Sequence, residues 1–274
     1  MDKLNFLTAG IPLRTKPRNY DKAFQVLDEM GLDGIELEFV RGVRISKDSL
    51  ETVSNNSKKY LFTAHGPFYI NLNSKEPDKV EASVQRIIET AQVASAAGAY
   101  SITYHAAYYL EDSKRATFKN VLKQTQRIID ELKKQNINIW VRPETTGKAT
   151  QWGDLNEIIE LSKEFDNVLP CVDFSHLHAR YGGTHNTYDE FCQVLEKMET
   201  KLGRIALDNF HGHLAGIAYS AKGEKHHLEL EQSDMNYKDL LKALKSFNVK
   251  GALVCESPNI EDDCQLIKEY YLSL

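Results

Sequence analysis

Residues 60–106 read YLFTAHGPFYINLNSKEPDKVEASVQRIIETAQVASAAGAYSITYHA. Two short runs rich in β-branched and aromatic residues, LFTA from Leu61 and SITY from Ser101, bracket a segment where Val80, Val84, Ile87, Ile88 and Ala91 recur at helical spacing. Pro77 suits the first turn of that helix, where a missing N–H costs nothing, and Gly98 falls where a left-handed cap is expected. The order strand, helix, strand makes the two strands parallel, because the helix carries the chain back to the starting edge. Each strand runs into a histidine, His65 and His105.

The same alternation extends in both directions. Strand candidates occur at LNFLTAGIP, GIELEF, YLFTAHG, SITYHA, NIWVRPE, VLPCVDFSH, FHGHLAGI and GALVCES, about eight in all, the number that closes a barrel. Between them lie amphipathic segments: Phe118, Val121, Leu122, Thr125, Ile128, Ile129 and Leu132 form one apolar face, and shorter helices are predicted over 155–161, 191–198, 240–244 and 266–271. The reading is an α/β fold, a single (β/α)8 TIM-barrel domain over residues 1–274. An open doubly wound sheet is the alternative, disfavoured because no glycine-rich phosphate loop follows the first strand.

Hydrophobic residues at 42% and charged residues at 27% suit a globular chain with a sizeable core. No apolar run is long enough for a membrane span and the N-terminus does not read as an export signal, so a cytoplasmic protein is expected. The cysteines Cys171, Cys192, Cys255 and Cys264 have no C-x-x-C spacing, so reduced structural thiols are expected rather than a zinc knuckle or redox pair. A net charge of −5 speaks against a broadly basic surface, although it counts carboxylates that bound cations would neutralise. With no heptad seam, a monomer is expected.

Chemistry collects where the strands end. His65, His105, Glu144, Asp173 with His176, His213 and Glu256 each finish a strand or open the loop after it, and barrel strands bring such ends to one mouth. Glu224 and His226 lie in the loop beyond FHGHLAG, where His211 shares a face with His213. Each residue alone has a plainer reading: a hydrogen-bonded strand-end histidine, Glu144 as partner of Arg142, GEKHH as a solvated loop. Together the set counts five histidines and four carboxylates, too many for one tetrahedral ion and suited to about three. Clustered divalent ions of this kind suit hydrolysis of a phosphate ester.

In order, HGPFYINL, YHAA, PETT, VDFSH, HGHLAG, GEKHH and CESP resemble the endonuclease IV family of apurinic/apyrimidinic endonucleases, over about His65 to Glu256. The resemblance implies a zinc-dependent enzyme of base excision repair. It would hydrolyse the phosphodiester 5′ to an abasic site in double-stranded DNA, leaving a 3′-hydroxyl and a 5′-deoxyribose phosphate. It further implies about three Zn2+ ions, with Mn2+ possible in part of the site. His65 and His105 would hold the first ion and Glu144 would bridge to the second; Asp173, His213 and Glu256 would complete the second, and His176, Glu224 and His226 would hold the third. Glu144 and Glu256 take the catalytic roles. The family's Asp-x-His appears here as Glu224 and His226, one methylene longer. Arg41, Phe68 and Tyr69 would act at the lesion, and Arg180, Lys222 and Lys225 would meet phosphates. Two other readings stand beside this one: a metal-dependent sugar isomerase or epimerase of the xylose-isomerase-like class, and a non-catalytic DNA- or metal-binding barrel.

Overall fold

The computed structural model describes every residue from Met1 to Leu274. The strands of the parallel sheet are β1 (Leu4–Ala9), β2 (Gly34–Glu38), β3 (Leu61–His65), β4 (Ser101–Tyr104), β5 (Trp140–Pro143), β6 (Val172–Asp173), β7 (Phe210–Leu214) and β8 (Gly251–Cys255). Clustering of backbone contacts divides the chain into two compact units: Met1–Glu36 with Cys171–Leu274, and Leu37–Pro170.

Within the first unit the strand order is β2-β1-β8-β7-β6. The register pairs Leu7 with Gly34 and with Val254, Val254 with His213, and His213 with Asp173. Every residue of β7 and β8 is buried, as expected of parallel strands covered on both faces. The predicted helices run longer than their apolar faces. The segment 191–198 belongs to Tyr188–Leu202, opened by a capping box of Thr187 and Glu190; 240–244 belongs to Tyr237–Ser246; and the last helix spans Glu261–Ser273.

FHGHLAGI is not one strand. β7 stops at Leu214, and Gly216–Ser220 pairs antiparallel with Gly223–Leu228. GEKHH, read from the sequence as loop, is therefore the second arm of a hairpin, whose turn uses Gly223 at φ +92°.

Within the second unit the order is β5-β4-β3, with Thr63 paired to Ser101 and Ser101 to Trp140. The helix Pro77–Ala96 joins β3 to β4 and buries Val84, Ile87, Ile88 and Ala91, the expected face. Each such isoleucine contributes ~1.5–3 kcal/mol by leaving water. Gly98 takes φ +81°, and a Cβ there would lie 2.5 Å from the Cβ of Ser57, so conformation and space both require glycine. The helix Lys114–Lys134 buries Val121, Thr125, Ile128, Ile129 and Leu132, again as its spacing predicts. Leu155–Ser162 follows β5 behind a capping box of Asp154 and Glu157.

Two further helices, Tyr20–Met30 and Lys47–Asn56, carry weaker patterns; in the second only Val53 is buried. Their starts are marked instead by Asn19 and Ser46, whose side chains accept the backbone N–H groups of Lys22 and Ser49. No helix is long and apolar enough to cross a membrane.

Candidate metal centres

In the second unit the register sets three ligand-type residues at one level. The amide of Gly66 donates to Thr103 O (2.8 Å) and that of Glu144 to Tyr104 O (3.0 Å), so the residues that finish β3, β4 and β5 emerge side by side. The Glu144 carboxylate, 1% exposed, places Oε2 3.1 Å from His65 Nε2 and Oε1 3.1 Å from His105 Nε2. His65 Nδ1 lies 2.7 Å from Gly66 O, and a carbonyl can only accept, so Nδ1 carries the proton. In the neutral ring Nε2 is then a bare lone pair facing a carboxylate oxygen, an arrangement that a cation between them makes favourable. The donor set, two imidazoles and a carboxylate, fits a divalent ion such as zinc. Arg142 sends Nη1 to Pro170 O at 3.1 Å.

In the first unit Asp173 ends β6 and caps the short helix Phe174–Arg180, its Oδ1 accepting the amide of His176 at 2.6 Å. The spacing of three residues between Asp173 and His176 is that of an N-cap and N3, and it brings Oδ2 to 3.2 Å from His176 Nδ1. On β7, His213 has Nδ1 3.3 Å from Glu256 Oε1. Glu256 emerges just past β8, its amide donating to Leu214 O at 3.0 Å.

His213 has a second carboxylate partner that the strand-end reading did not include. Glu36, fully buried in β2, lies 3.0 Å through Oε1 from His213 Nε2 and 2.9 Å through Oε2 from His211 Nε2. Burial acts to raise its pKa, but the two imidazoles outweigh burial and hold the carboxyl below the usual carboxylate range. Cys171 lies in the same cluster as His211 and His213. The available signal was a glutamate in the middle of GIELEF: a parallel strand covered on both faces has no solvent side for a charge, so an acid there needs a partner.

The hairpin revises the remaining assignment. The register pairs Ile217 with His227, Ala218 with His226 and Tyr219 with Glu224, leaving Lys225 as an extra residue opposite the step from Ala218 to Tyr219. Ile217 and Tyr219 share a face, so their partners His227 and Glu224 share one as well, and His226 falls on the other. His227 sets its ring 5.7 Å from that of His176, tilted by 44°, and joins Asp173 and His176 in one cluster of ligand-type groups, while Glu224 Oε2 stands 3.7 Å from His176 Nε2. His226 is exposed. Strict alternation from Glu224 selects His226; the bulge shifts the phase by one and selects His227. Its Nδ1 lies 3.1 Å from the Glu256 carbonyl and so donates, leaving Nε2 bare for a ligand role.

His178 belongs to a structural network, between Thr184 O (2.9 Å) and Asp234 (3.1 Å). Tyr219 donates to the other oxygen of Asp234 at 2.6 Å, and that bond pushes its phenol up to about 12.

The residues expected to meet DNA are placed as follows. In the second unit Phe68 and Tyr69 are 56% and 63% exposed on the loop after β3, Phe68 within 6.0 Å of the His65 ring, and Arg41 is exposed after β2. The aromatic pair therefore faces solvent rather than packing the rim. In the first unit Lys222 and Lys225 are exposed on the hairpin that carries His227, and Arg180 is half-buried at the end of its helix. All four cysteines are free thiols.

Parallel strands alternating with helices, with ligand clusters at their C-terminal ends, define an α/β barrel with metal-type sites. The chain belongs to the xylose isomerase-like TIM barrel family, AP_endonuc_2, whose model matches residues 24–270. It is 44% identical over 271 residues to an uncharacterized protein of Methanocaldococcus jannaschii, covering 99% of this chain and 98% of that one. It is 23% identical to "Probable endonuclease 4" of Mycoplasma pneumoniae over 75% of this chain and 71% of that protein. Among solved structures, a D-tagatose 3-epimerase-like protein superposes with a TM-score of 0.75 at 17% identity, covering 98% and 97% of the two chains. Endonuclease IV from Thermus thermophilus superposes with a TM-score of 0.72 at 15% identity, covering 99% and 100%. The resemblance to the endonuclease IV family and the barrel fold both hold. The family consists mostly of enzymes.

Proposed function

We propose that the protein is a metal-dependent apurinic/apyrimidinic endonuclease, hydrolysing DNA on the 5′ side of abasic sites. The observation that carries this reading is the hairpin cluster. His227 joins Asp173 and His176 in a ligand cluster, with Glu224 3.7 Å from His176, additional to His65–His105–Glu144 and to His213–Glu256, and an isomerase working with one or two ions has no evident use for it. Divalent ions held in these clusters would activate water and neutralise charge on a phosphodiester and its leaving oxygen.

The chain's own groups supply the rest. Glu144 and His65 form a buried, pre-oriented pair, so little reorganisation is needed when a phosphate arrives. Phe68 and Tyr69 present aromatic faces next to His65, suited to stacking on bases left exposed at a lesion. Lys222 and Lys225 place cations on the hairpin, where they would meet backbone phosphates. The presence of Zn2+ in about three places, the DNA substrate and the monomeric state all belong to this proposal.

The likeness to epimerases favours one second reading, a ketose epimerase using His213, Glu256 and Asp173 around a single ion. One experiment separates them. A duplex carrying a tetrahydrofuran abasic analogue, which blocks β-elimination, is incubated with zinc-loaded protein, and the same preparation with manganese is given ketoses. Nicking 5′ to the analogue, abolished in Glu144→Ala, is the expected result. Ketose epimerisation without nicking overturns the nuclease reading.

A further inference from the structure

We propose that Asn73 is a positioning residue that joins the loops following His65 and His105 into one preformed aromatic surface, made of Phe68, Tyr69 and Tyr108, which receives an unstacked base beside an abasic site. The part played by DNA rests on the nuclease reading above; the joining of the two loops stands on hydrogen bonds alone.

Asn73 is 1% exposed. Its Nδ2 donates to Tyr108 O at 3.0 Å and to Tyr109 O at 3.2 Å, and its Oδ1 accepts Nδ2 of Asn120 at 2.7 Å. Carbonyls only accept, so the amide nitrogen must face them and the side chain has one orientation. Two residues earlier, Asn71 Oδ1 accepts the amides of Asn73 (3.1 Å) and Tyr108 (3.3 Å), while its own amide donates to Ser83 Oγ at 2.9 Å. Between them, Leu72 donates its amide to Ala106 O at 2.9 Å. The stretch 71–73 is thus fastened to 106–109. Asn73 is the buried side chain of this set, placed where water does not replace a lost hydrogen bond.

The joined loops carry exposed rings. Tyr108, 39% exposed, lines with Phe68 and Tyr69 one groove of about 450 Å³, and the helix Pro77–Ala96 contributes Lys79 and Arg86 to the same groove. Arg86 Nη1 donates to Tyr69 O at 3.1 Å, so the helix also holds the first loop. The second loop is fixed on its other side, where Ala107–Tyr108 pairs antiparallel with Gln151–Trp152. Large apolar side chains kept in water on a fastened support mark a binding surface. Ring faces suit any base, and the two cations beside them suit its phosphate. The Phe68 ring, 6.0 Å from that of His65, sets this surface beside the metal centre. Loops ordered in advance lose little further freedom on binding, so the surface favours a lesion, where a base is unstacked, over intact duplex.

Two measurements on the full chain test this. First, amide hydrogen exchange is followed without DNA over residues 66–73 and 106–110. In Asn73→Ala both segments should exchange about tenfold faster or more, the effect of two lost hydrogen bonds, while Asn120→Ala, which leaves both donations of Asn73 in place, stays near the parent. Asn73→Ser, which keeps one donor, replaces Asn73→Ala if that variant does not fold. Exchange at the parent rate in both segments overturns the proposal. Second, zinc-loaded protein is given a duplex with a tetrahydrofuran abasic analogue and, by fluorescence anisotropy, an intact duplex. Asn73→Ala should raise KM for the analogue about tenfold, within the range of one base–aromatic stack, and leave kcat and intact-duplex affinity within about twofold. Tyr108→Ala should raise KM likewise with exchange unchanged, because only backbone groups of Tyr108 join the loops. A lower kcat with unchanged KM and unchanged discrimination in Asn73→Ala assigns it a purely structural role and overturns the proposal, as does a Tyr108→Ala protein that discriminates like the parent. If the parent neither binds nor nicks the analogue, the nuclease reading fails by itself, and the exchange result still decides whether Asn73 joins the loops.

Discussion

Replacing either of two adjacent histidines provides a sharp test of the hairpin register. His226 is exposed and faces the side of the strand occupied by Ala218, so His226→Ala removes no ligand and should alter metal affinity by no more than about twofold, as surface changes of up to ~0.5 kcal/mol do. His227 stands beside His176 and Asp173, one imidazole of a set of few ligands. Losing a group that merely orients a ligand costs about 10–100-fold, so losing the ligand itself costs more than that, upward of about 1.4–2.8 kcal/mol at about 1.4 kcal/mol per tenfold. Metal content after gel filtration, measured by plasma emission spectroscopy, should fall by about one ion per chain in His227→Ala and remain at the parent value in His226→Ala. Thermal unfolding of the metal-free variants serves as the control, because both should melt with the parent. Loss of the ion in His226→Ala with full retention in His227→Ala would refute both the bulge and the assignment built on it.

Further expectations concern DNA, pH and the first loop. Affinity for an abasic duplex should fall steeply with salt, and Lys222→Ala and Lys225→Ala should each reduce the slope of log K against log salt by about one; a flat dependence would count against the DNA reading. Glu190 caps the helix Tyr188–Leu202, and the backbone N–H of Asn186, helped by Thr187 and opposed by partial burial, holds its carboxyl down at about 2. A depressed carboxyl contributes stability above its unfolded pKa that is lost as pH falls through the folded one. Glu190→Gln should therefore flatten the acid limb of the stability profile between about pH 4.5 and pH 2, read by urea unfolding. Glu261, 1% exposed, accepts the amides of Leu13 and Arg14, each at 2.8 Å, and so ties down the loop after β1. Glu261→Ala should cost about 1.5–3 kcal/mol for each charge-assisted bond lost, lowering Tm by about 2–4 °C per kcal/mol in a calorimetric scan.

The fold was legible because its two periodicities are clean. Val84, Ile87, Ile88 and Ala91 mark one helix, and LFTA and SITY mark the strands on either side; neither signal depends on distant contacts. The clustering of ligand-type residues at strand ends was legible for a related reason: each follows an apolar run directly, and parallel register converts that position into a shared level. Glu36 was not, because its place in GIELEF also fits an alternating strand with one wet face, and only the covering of both faces makes the acid exceptional. The choice between His226 and His227 was hidden by a bulge that no spacing rule announces. The length of the helix Tyr188–Leu202 exceeds its apolar stretch because its first turn is set by Thr187 and Glu190 rather than by burial.

The extra residue in the hairpin has a consequence for comparing such chains by position alone. Counting columns, Glu224 and His226 occupy the Asp-x-His spacing, so an alignment would select His226, whereas the imidazole beside His176 is that of His227. Counting faces, Lys225 is a spacer whose removal would bring Glu224 and His227 two apart and leave both still pointing the same way. A chain shortened by that one residue and a chain that keeps it can thus present the same pair of side chains on one side of the ribbon at different intervals between letters.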